Sequence, residues 1–265
     1  MLGAIAGDII GSVYEGKNFK TKDFPLFNRQ CRFTDDTVLT VAVADVILNS
    51  GEFLQGSKYM EQLKWYYRRY LYAGYGRNFR EWAKSNTIEP YNSFGNGAAM
   101  RVSPVGFAFN DLDTVLREAQ RSAEVTHNHP EGIKGAQAIA AAIFLARTGN
   151  NKTEIKSYIQ TTFNYDLGQT LDQIRPNYQY DSTCQGSIPP AIIAFLESTN
   201  FEDAIRNAVS VGGDSDTIAC MTGGIAQAFY GGVPKAIADQ TLSHLNEHLC
   251  TITEKFMFQY CTSAI

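Results

Sequence analysis

Two short acidic clusters lie far apart in this chain, Phe33-Thr34-Asp35-Asp36-Thr37 and Gly212-Gly213-Asp214-Ser215-Asp216-Thr217, and each runs straight into an apolar stretch of helical character, Val38 to Leu48 and Ile218 to Phe229. Both clusters therefore read as helix starts. Thr and Asp suit that position because their side-chain oxygens accept from unpaired backbone N–H groups, and carboxylates are stabilised at the positive end of the helix dipole. Capping accounts for one Asp per helix. It accounts less well for a doubled Asp flanked by hydroxyls, occurring twice. Four carboxylates brought together would repel one another unless cations sat between them, and an all-oxygen donor set suits hard ions such as Mg²⁺ or Mn²⁺.

At 265 residues, 44% hydrophobic and 19% charged, the chain can bury a large core, and one domain over 1–265 is expected. Net charge is −4 and the Lys and Arg residues are scattered, which leaves neither a nucleic-acid footprint nor a polybasic membrane patch. The apolar, Gly-rich start lacks the basic segment of a signal peptide and is interrupted by Asp8 and Glu15. No apolar run is long enough to span a bilayer. The five cysteines (31, 184, 220, 250 and 261) form no C-x-x-C pair or zinc spacing and read as reduced thiols of a cytoplasmic protein.

Along the chain, Ile5, Ile9 and Val13 recur at helical spacing, with Gly3, Gly7 and Gly11 on an adjoining stripe that permits close approach of a second helix. That helix is expected to run to Glu15-Gly16, with Gly16 as a left-handed cap. Glu15 then reads either as a solvated loop residue or as a carboxylate held in a site. The helix after the first cluster has almost no polar face and is expected to be buried all round. From Met60 to Tyr75, aromatics alternate with Lys64, Arg68 and Arg69. That mixture also occurs where single-stranded nucleic acid stacks, but at helical spacing it reads as a core-facing stripe with snorkelling cations.

Tyr91 to Val102 contains Ser93-Phe94-Gly95-Asn96-Gly97 ahead of a short helix, a place where backbone N–H groups can face a phosphate with Phe94 as a flat apolar neighbour. Such glycine-rich turns also have many purely structural uses. The i, i+2 spacing of His127 and His129 before Pro130 argues against zinc. His127 is left free to donate to a ligand phosphate or ribose, and His129 to orient the turn. Further helices are expected at 114–122, 136–147, 190–197, 202–211 and 217–229, and from Pro234 onward. The segment from Tyr165 to Tyr180 is the candidate for a mobile loop over a site, against the plainer reading of an ordinary surface loop. No strand alternation persists, so the chain reads as all-α.

Taken in order, Gly7-Asp8-x-x-Gly11-Ser12-x-Tyr14-Glu15, Phe33 to Thr37, Ser93 to Arg101, Thr126-His127 and Gly212 to Ala219 closely resemble the ADP-ribosylglycohydrolase family, which includes the dinitrogenase reductase activating glycohydrolases and the animal ADP-ribosyl hydrolases. The resemblance spans the whole chain. It implies a compact, orthogonal all-α bundle around a binuclear centre of two divalent cations, Mg²⁺ or Mn²⁺, held by Thr34, Asp35, Asp36, Asp214, Asp216 and Thr217. It also implies Glu15 beside the metals, acting with Asp35 and Asp36 in catalysis, and Ser93, Phe94, Gly95, Asn96, Gly97 and His127 in substrate binding.

The implied activity is hydrolysis of the glycosidic bond between ADP-ribose and a modified acceptor, a protein side chain or a smaller conjugate, by a monomer. Nucleic acid enters only as an ADP-ribosylated substrate. The alternatives are a two-metal phosphohydrolase acting on a nucleotide-type substrate, and a non-catalytic ADP-ribose-binding relative. The Lys17 to Gln30 loop and the Asp166 to Gly186 region match no one subgroup of the family, so the linkage cleaved stays open.

Overall fold

A computed structural model describes residues 1–50 and 55–261. Among these residues the chain forms fifteen helices: α1 (Leu2–Gly11), α2 (Asp35–Ser50), α3 (Gly56–Arg69), α4 (Arg77–Lys84), α5 (Gly97–Met100), α6 (Ser103–Ala108), α7 (Leu112–Glu124), α8 (Pro130–Arg147), α9 (Lys152–Phe163), α10 (Leu171–Ile174), α11 (Cys184–Leu196), α12 (Phe201–Val209), α13 (Ser215–Phe229), α14 (Lys235–Ser243) and α15 (Glu247–Tyr260). No strand occurs among them, and one isolated bridge joins Gly95 to Thr183. Residues 51–54, in the stretch between Ser50 and Ser57 that reads from the sequence as a loop, and the last residues of the expected C-terminal helix lie outside the described residues. No described helix is long and apolar enough to cross a membrane.

The bundle is built on α1 against α13. Gly3, Gly7 and Gly11 face Gly223, Ala219 and Asp216, and a Cβ placed on Gly7 would overlap the carbonyl of Ala219. The backbones therefore touch along the whole length of α1, as the four-residue glycine repeat requires. Around this pair pack α8, α11 and α12. The stretch of α2 from Asp36 to Ile47 is buried without a break. Gly7→Val is expected to cost at least about 3 kcal/mol through forced separation of the two helices, read as a fall in the urea or thermal unfolding midpoint with the far-UV signature of a helical protein retained until that midpoint.

Several boundaries differ from the sequence expectation. The first helix ends at Gly11 rather than at Glu15, because Ser12 turns its hydroxyl back to Ile9 O at 2.9 Å and the chain continues as turns. Gly16 does take a positive φ of 67°, and its N–H donates to Gly213 O at 2.9 Å, tying the first turn to the approach of the second acidic cluster. The aromatic helix stops at Arg69, and its Lys64 buries its stem while Nζ donates to Ser85 O and Thr87 O at 3.0 and 2.7 Å. Helices α4, α6, α9 and α10 were not expected.

Helix α11 begins at Cys184, six residues ahead of the expected Pro190 and through two prolines. The carbonyl of Gly186, which would pair with the missing N–H of Pro190, accepts instead from the Tyr178 hydroxyl at 3.0 Å. That bond belongs to a general anchoring of the 165–180 segment, where Tyr165, Leu167 and Leu171 are buried and Lys20 Nζ donates to Tyr178 O at 2.8 Å. The segment is packed onto the bundle; only its end, Tyr180, reaches the site as an exposed ring.

Candidate active site

Asp8 is the one charged residue of α1, it is fully buried, and it organises the start of α2. Its carboxylate accepts from Thr34 N (2.9 Å), Thr34 Oγ1 (2.7 Å), Thr37 N (3.0 Å) and Thr37 Oγ1. The start of α2 is thus held by a carboxylate from another helix together with Thr34 Oγ1, which accepts from Asp36 N at 3.3 Å, and the side chains of Asp35 and Asp36 are not needed as caps. The sequence reading quoted Asp8 as an interruption of an apolar start and within the first family motif but gave it no role in the site; an acid in the middle of a buried helix was the available signal. With four donors on its two oxygens, Asp8 is a support for the site.

The second cluster is delivered by Gly212 and Gly213, whose φ values of 76° and 70° turn the chain from α12 into α13. Two consecutive left-handed residues make this turn tight enough to bring Asp214 beside α2, and a side chain at Gly213 would also meet the Tyr178 ring. Asp214 does not cap α13 with its side chain; its Oδ2 accepts from the Asn96 amide at 2.7 Å.

The expected acidic residues meet. Carboxylate oxygens of Asp8, Asp36 and Asp216 lie within 4.8 Å of one another, as do those of Glu15, Asp214 and Asp216, so Asp216 belongs to both trios. Thr34 and Thr217 each place a hydroxyl 3.3 Å from Asp36 Oδ2, while Asp36 Oδ1 is buried with no hydrogen-bond partner among the described residues. Asp35 lies outside both trios, partly exposed on the wall of the same cavity near Gly74. Glu15 is exposed at the cavity mouth, on a turn rather than at a helix end.

Burial, and then the neighbouring carboxylates, push Asp35, Asp36 and Asp216 well above the ordinary carboxylate range. Asp214 is raised to about 6, first by burial. An all-oxygen donor set, an orphaned Asp36 Oδ1 and mutual repulsion all fit a pair of divalent cations, which would complete that oxygen's coordination and relieve the repulsion.

A pH dependence follows for protein stripped of metal. A carboxyl whose folded pKa lies above its unfolded value binds more protons when folded, so stability falls as pH rises from about 4 to about 6 for Asp214 and further for its neighbours. EDTA-treated protein is expected to melt several degrees lower at pH 7.5 than at pH 5.5, and millimolar Mg²⁺ to abolish the difference. An unchanged melting temperature across that range would contradict the assigned repulsion.

The cavity above the carboxylates has a volume of about 360 Å³, within the range that takes a nucleotide-sized ligand. Its far wall is the glycine-rich loop. Ser93 Oγ accepts from Gly95 N at 3.1 Å, Asn96 N donates to Ser182 O at 2.8 Å, and Cys184 N donates to Phe94 O at 3.0 Å. The amides of Gly95 and Asn96 are therefore spent on holding the loop, which leaves that of Gly97, the next residue lining the cavity, for a ligand anion. Phe94 stands half exposed outside the cavity wall, its ring 5.5 Å from that of His129. His129 caps α8, accepting from Glu131 N at 3.1 Å, as expected of a turn-orienting residue. His127 is buried and lines the cavity. Tyr91, Arg101 and Tyr180, assigned no site role from the sequence, line it too.

A profile of the ADP-ribosylglycohydrolase family matches residues 1–261. The chain is 27% identical to the ADP-ribosylhydrolase ARH3 of Gallus gallus, over 87% of this chain and 84% of that protein. It is 26% identical to the ADP-ribosylarginine hydrolase Tri1 of Pseudomonas putida, over 87% and 69%. A solved structure, described as an ADP-ribosylglycohydrolase-related protein complex, superposes with a TM-score of 0.69 at 24% identity, covering 96% of this chain and 95% of that one, a likeness of fold. With the profile spanning all but the last residues, the chain belongs to the ADP-ribosylglycohydrolase family.

Proposed function

We propose that this protein hydrolyses the glycosidic bond joining the terminal ribose of ADP-ribose to a modified acceptor, with two divalent cations, Mg²⁺ in the first instance and Mn²⁺ as a substitute, held by Thr34, Asp35, Asp36, Asp214, Asp216 and Thr217. The observation that carries the proposal is that Asp36 on one side, and Asp214 with Glu15 on the other, gather around Asp216 in the lining of a cavity whose wall is a glycine-rich loop. When bound, such ions lower the pKa of a water and spread the charge that develops as a glycosidic bond breaks.

The chain's own residues do the rest. Glu15, exposed at the mouth yet within the Glu15–Asp214–Asp216 trio, is placed to orient or deprotonate the attacking water. Asn96 fixes the orientation of Asp214 through its amide. The Gly97 amide, with Ser93, Gly95, Asn96 and His127 around it, receives the diphosphate and ribose; Phe94, at the rim, offers an aromatic face to the adenine. Five free cysteines support a reducing compartment, the cytoplasm, and no described feature calls for more than one chain.

The test is a mass-spectrometric assay on a panel of ADP-ribosylated peptides (arginine- and serine-linked) and O-acetyl-ADP-ribose, with and without Mg²⁺. Metal-dependent release of free ADP-ribose from at least one conjugate is expected. Release of AMP or inorganic phosphate instead would identify a two-metal phosphohydrolase, and binding without turnover would identify a non-catalytic relative.

A further inference from the structure

Arg101 heads the fully buried side chains by size and, among the described residues, has no carboxylate partner. Its Nη2 donates to Ser122 O at 2.8 Å and to Thr126 Oγ1 at 2.9 Å, while Nε and Nη1 have no hydrogen-bond partner among the described residues. Burial lowers its pKa only to about 10, so it stays a cation at neutral pH. An unpaired buried charge is costly, and an apolar side chain of similar volume would fill the same space more stably. What the guanidinium does that an apolar side chain does not is dictate a proton position.

The hydroxyl of Thr126 carries one hydrogen. Toward Arg101 it can only accept, because guanidinium has no acceptor. Ala123 O lies 3.4 Å from the hydroxyl, but it already accepts from the backbone N–H groups of Thr126 at 3.1 Å and His127 at 2.8 Å. Of the acceptors left, His127 Nδ1 lies 2.8 Å from the same oxygen, whereas the Tyr91 hydroxyl, which also faces Thr126, makes no hydrogen bond of ordinary geometry to it among the described residues. Burial, and then the Arg101 charge, hold the His127 pKa well below its ordinary value, so the ring is neutral. A neutral imidazole that accepts at Nδ1 carries its hydrogen on Nε2. That nitrogen lies against the glycine-rich loop: a methyl on Gly97 would stand 3.1 Å from it and one on Gly95 3.9 Å. It has no hydrogen-bond partner among the described residues.

We propose that Arg101 and Thr126 are positioning residues that lock His127 as its neutral Nε2–H tautomer, so that the cavity wall presents one fixed, uncharged donor to an acceptor oxygen of bound ADP-ribose. The identity of that ligand rests on the function proposed above; the tautomer does not.

Histidine-selective ¹⁵N labelling reads the ring directly, since the chain has four histidines and His127→Gln assigns the signal. At pH 7 the ligand-free wild-type protein is expected to show His127 neutral with the proton on Nε2. A proton on Nδ1, or an imidazolium, overturns the inference whatever the variants do. Thr126→Val, close in shape, is expected to let both tautomers appear and to raise the Kd for ADP-ribose about tenfold, with Thr126→Ser restoring both. An unchanged spectrum and affinity in a folded Thr126→Val protein overturns the control by Thr126. Protein that shows the Nε2–H form yet releases ADP-ribose from nothing counts against the hydrolase reading alone; active protein with the Nδ1–H form counts against this one alone.

Discussion

Asp216→Asn is expected to lose its bound divalent metal and to lower ADP-ribose release by roughly 10³-fold or more, the scale of losing several kcal/mol of transition-state charge stabilisation. The size follows from position: Asp216 is the one carboxylate common to both trios. An amide keeps its volume and removes its charge, so the packing of α1 on α13 should survive. Elemental analysis of the purified variant and a single-turnover assay give the two readings. Wild-type metal content together with wild-type activity would dismiss the shared-ligand geometry. Asp35→Asn, outside both trios, should lose less metal than Asp216→Asn even where its activity falls.

Glu15→Gln should behave differently, lowering kcat by roughly 10²- to 10⁴-fold, the usual range for losing a general base, while ADP-ribose affinity stays close to wild type. Glu15 is exposed on a turn, so the substitution costs the fold little, and its partners Asp214 and Asp216 remain. Isothermal titration with ADP-ribose and a turnover assay separate the two quantities. Retained kcat would remove Glu15 from the chemistry. A loss of metal as large as that of Asp216→Asn would make it a ligand rather than a base.

Much of this site was legible because its chemistry is written in runs. Doubled Asp beside Thr, twice, is hard to explain by capping alone, and the two clusters meet where the repulsion argument requires an ion. Glycines four residues apart announced a tight helix pair before its partner was known. The length of α1 was misjudged because Val13 and Tyr14 continue the apolar pattern, whereas Ser12 turning back on Ile9 ends the helix. The start of α11 was misplaced for a related reason: prolines normally open a helix, and here a tyrosine from another segment compensates for the missing donor. The role of Asp8 escaped because its four donors belong to two residues, Thr34 and Thr37, at the start of a different helix, and nothing adjacent in the chain hints at them.

The sequence by itself determined which residues carry oxygen donors, that the chain is helical with no persistent strand pattern, and that the first helix can take another at close range. These are local properties, set by periodicity, glycine spacing and side-chain chemistry. Only the tertiary structure decided that Asp8 caps α2, that Asp216 is shared, that the Gly95 and Asn96 amides are spent inside the protein, and that a buried arginine fixes a histidine's proton through a threonine. Each of these depends on donors and acceptors brought together from distant parts of the chain, where burial forces every polar group to find a partner and so makes one arrangement far better than the rest.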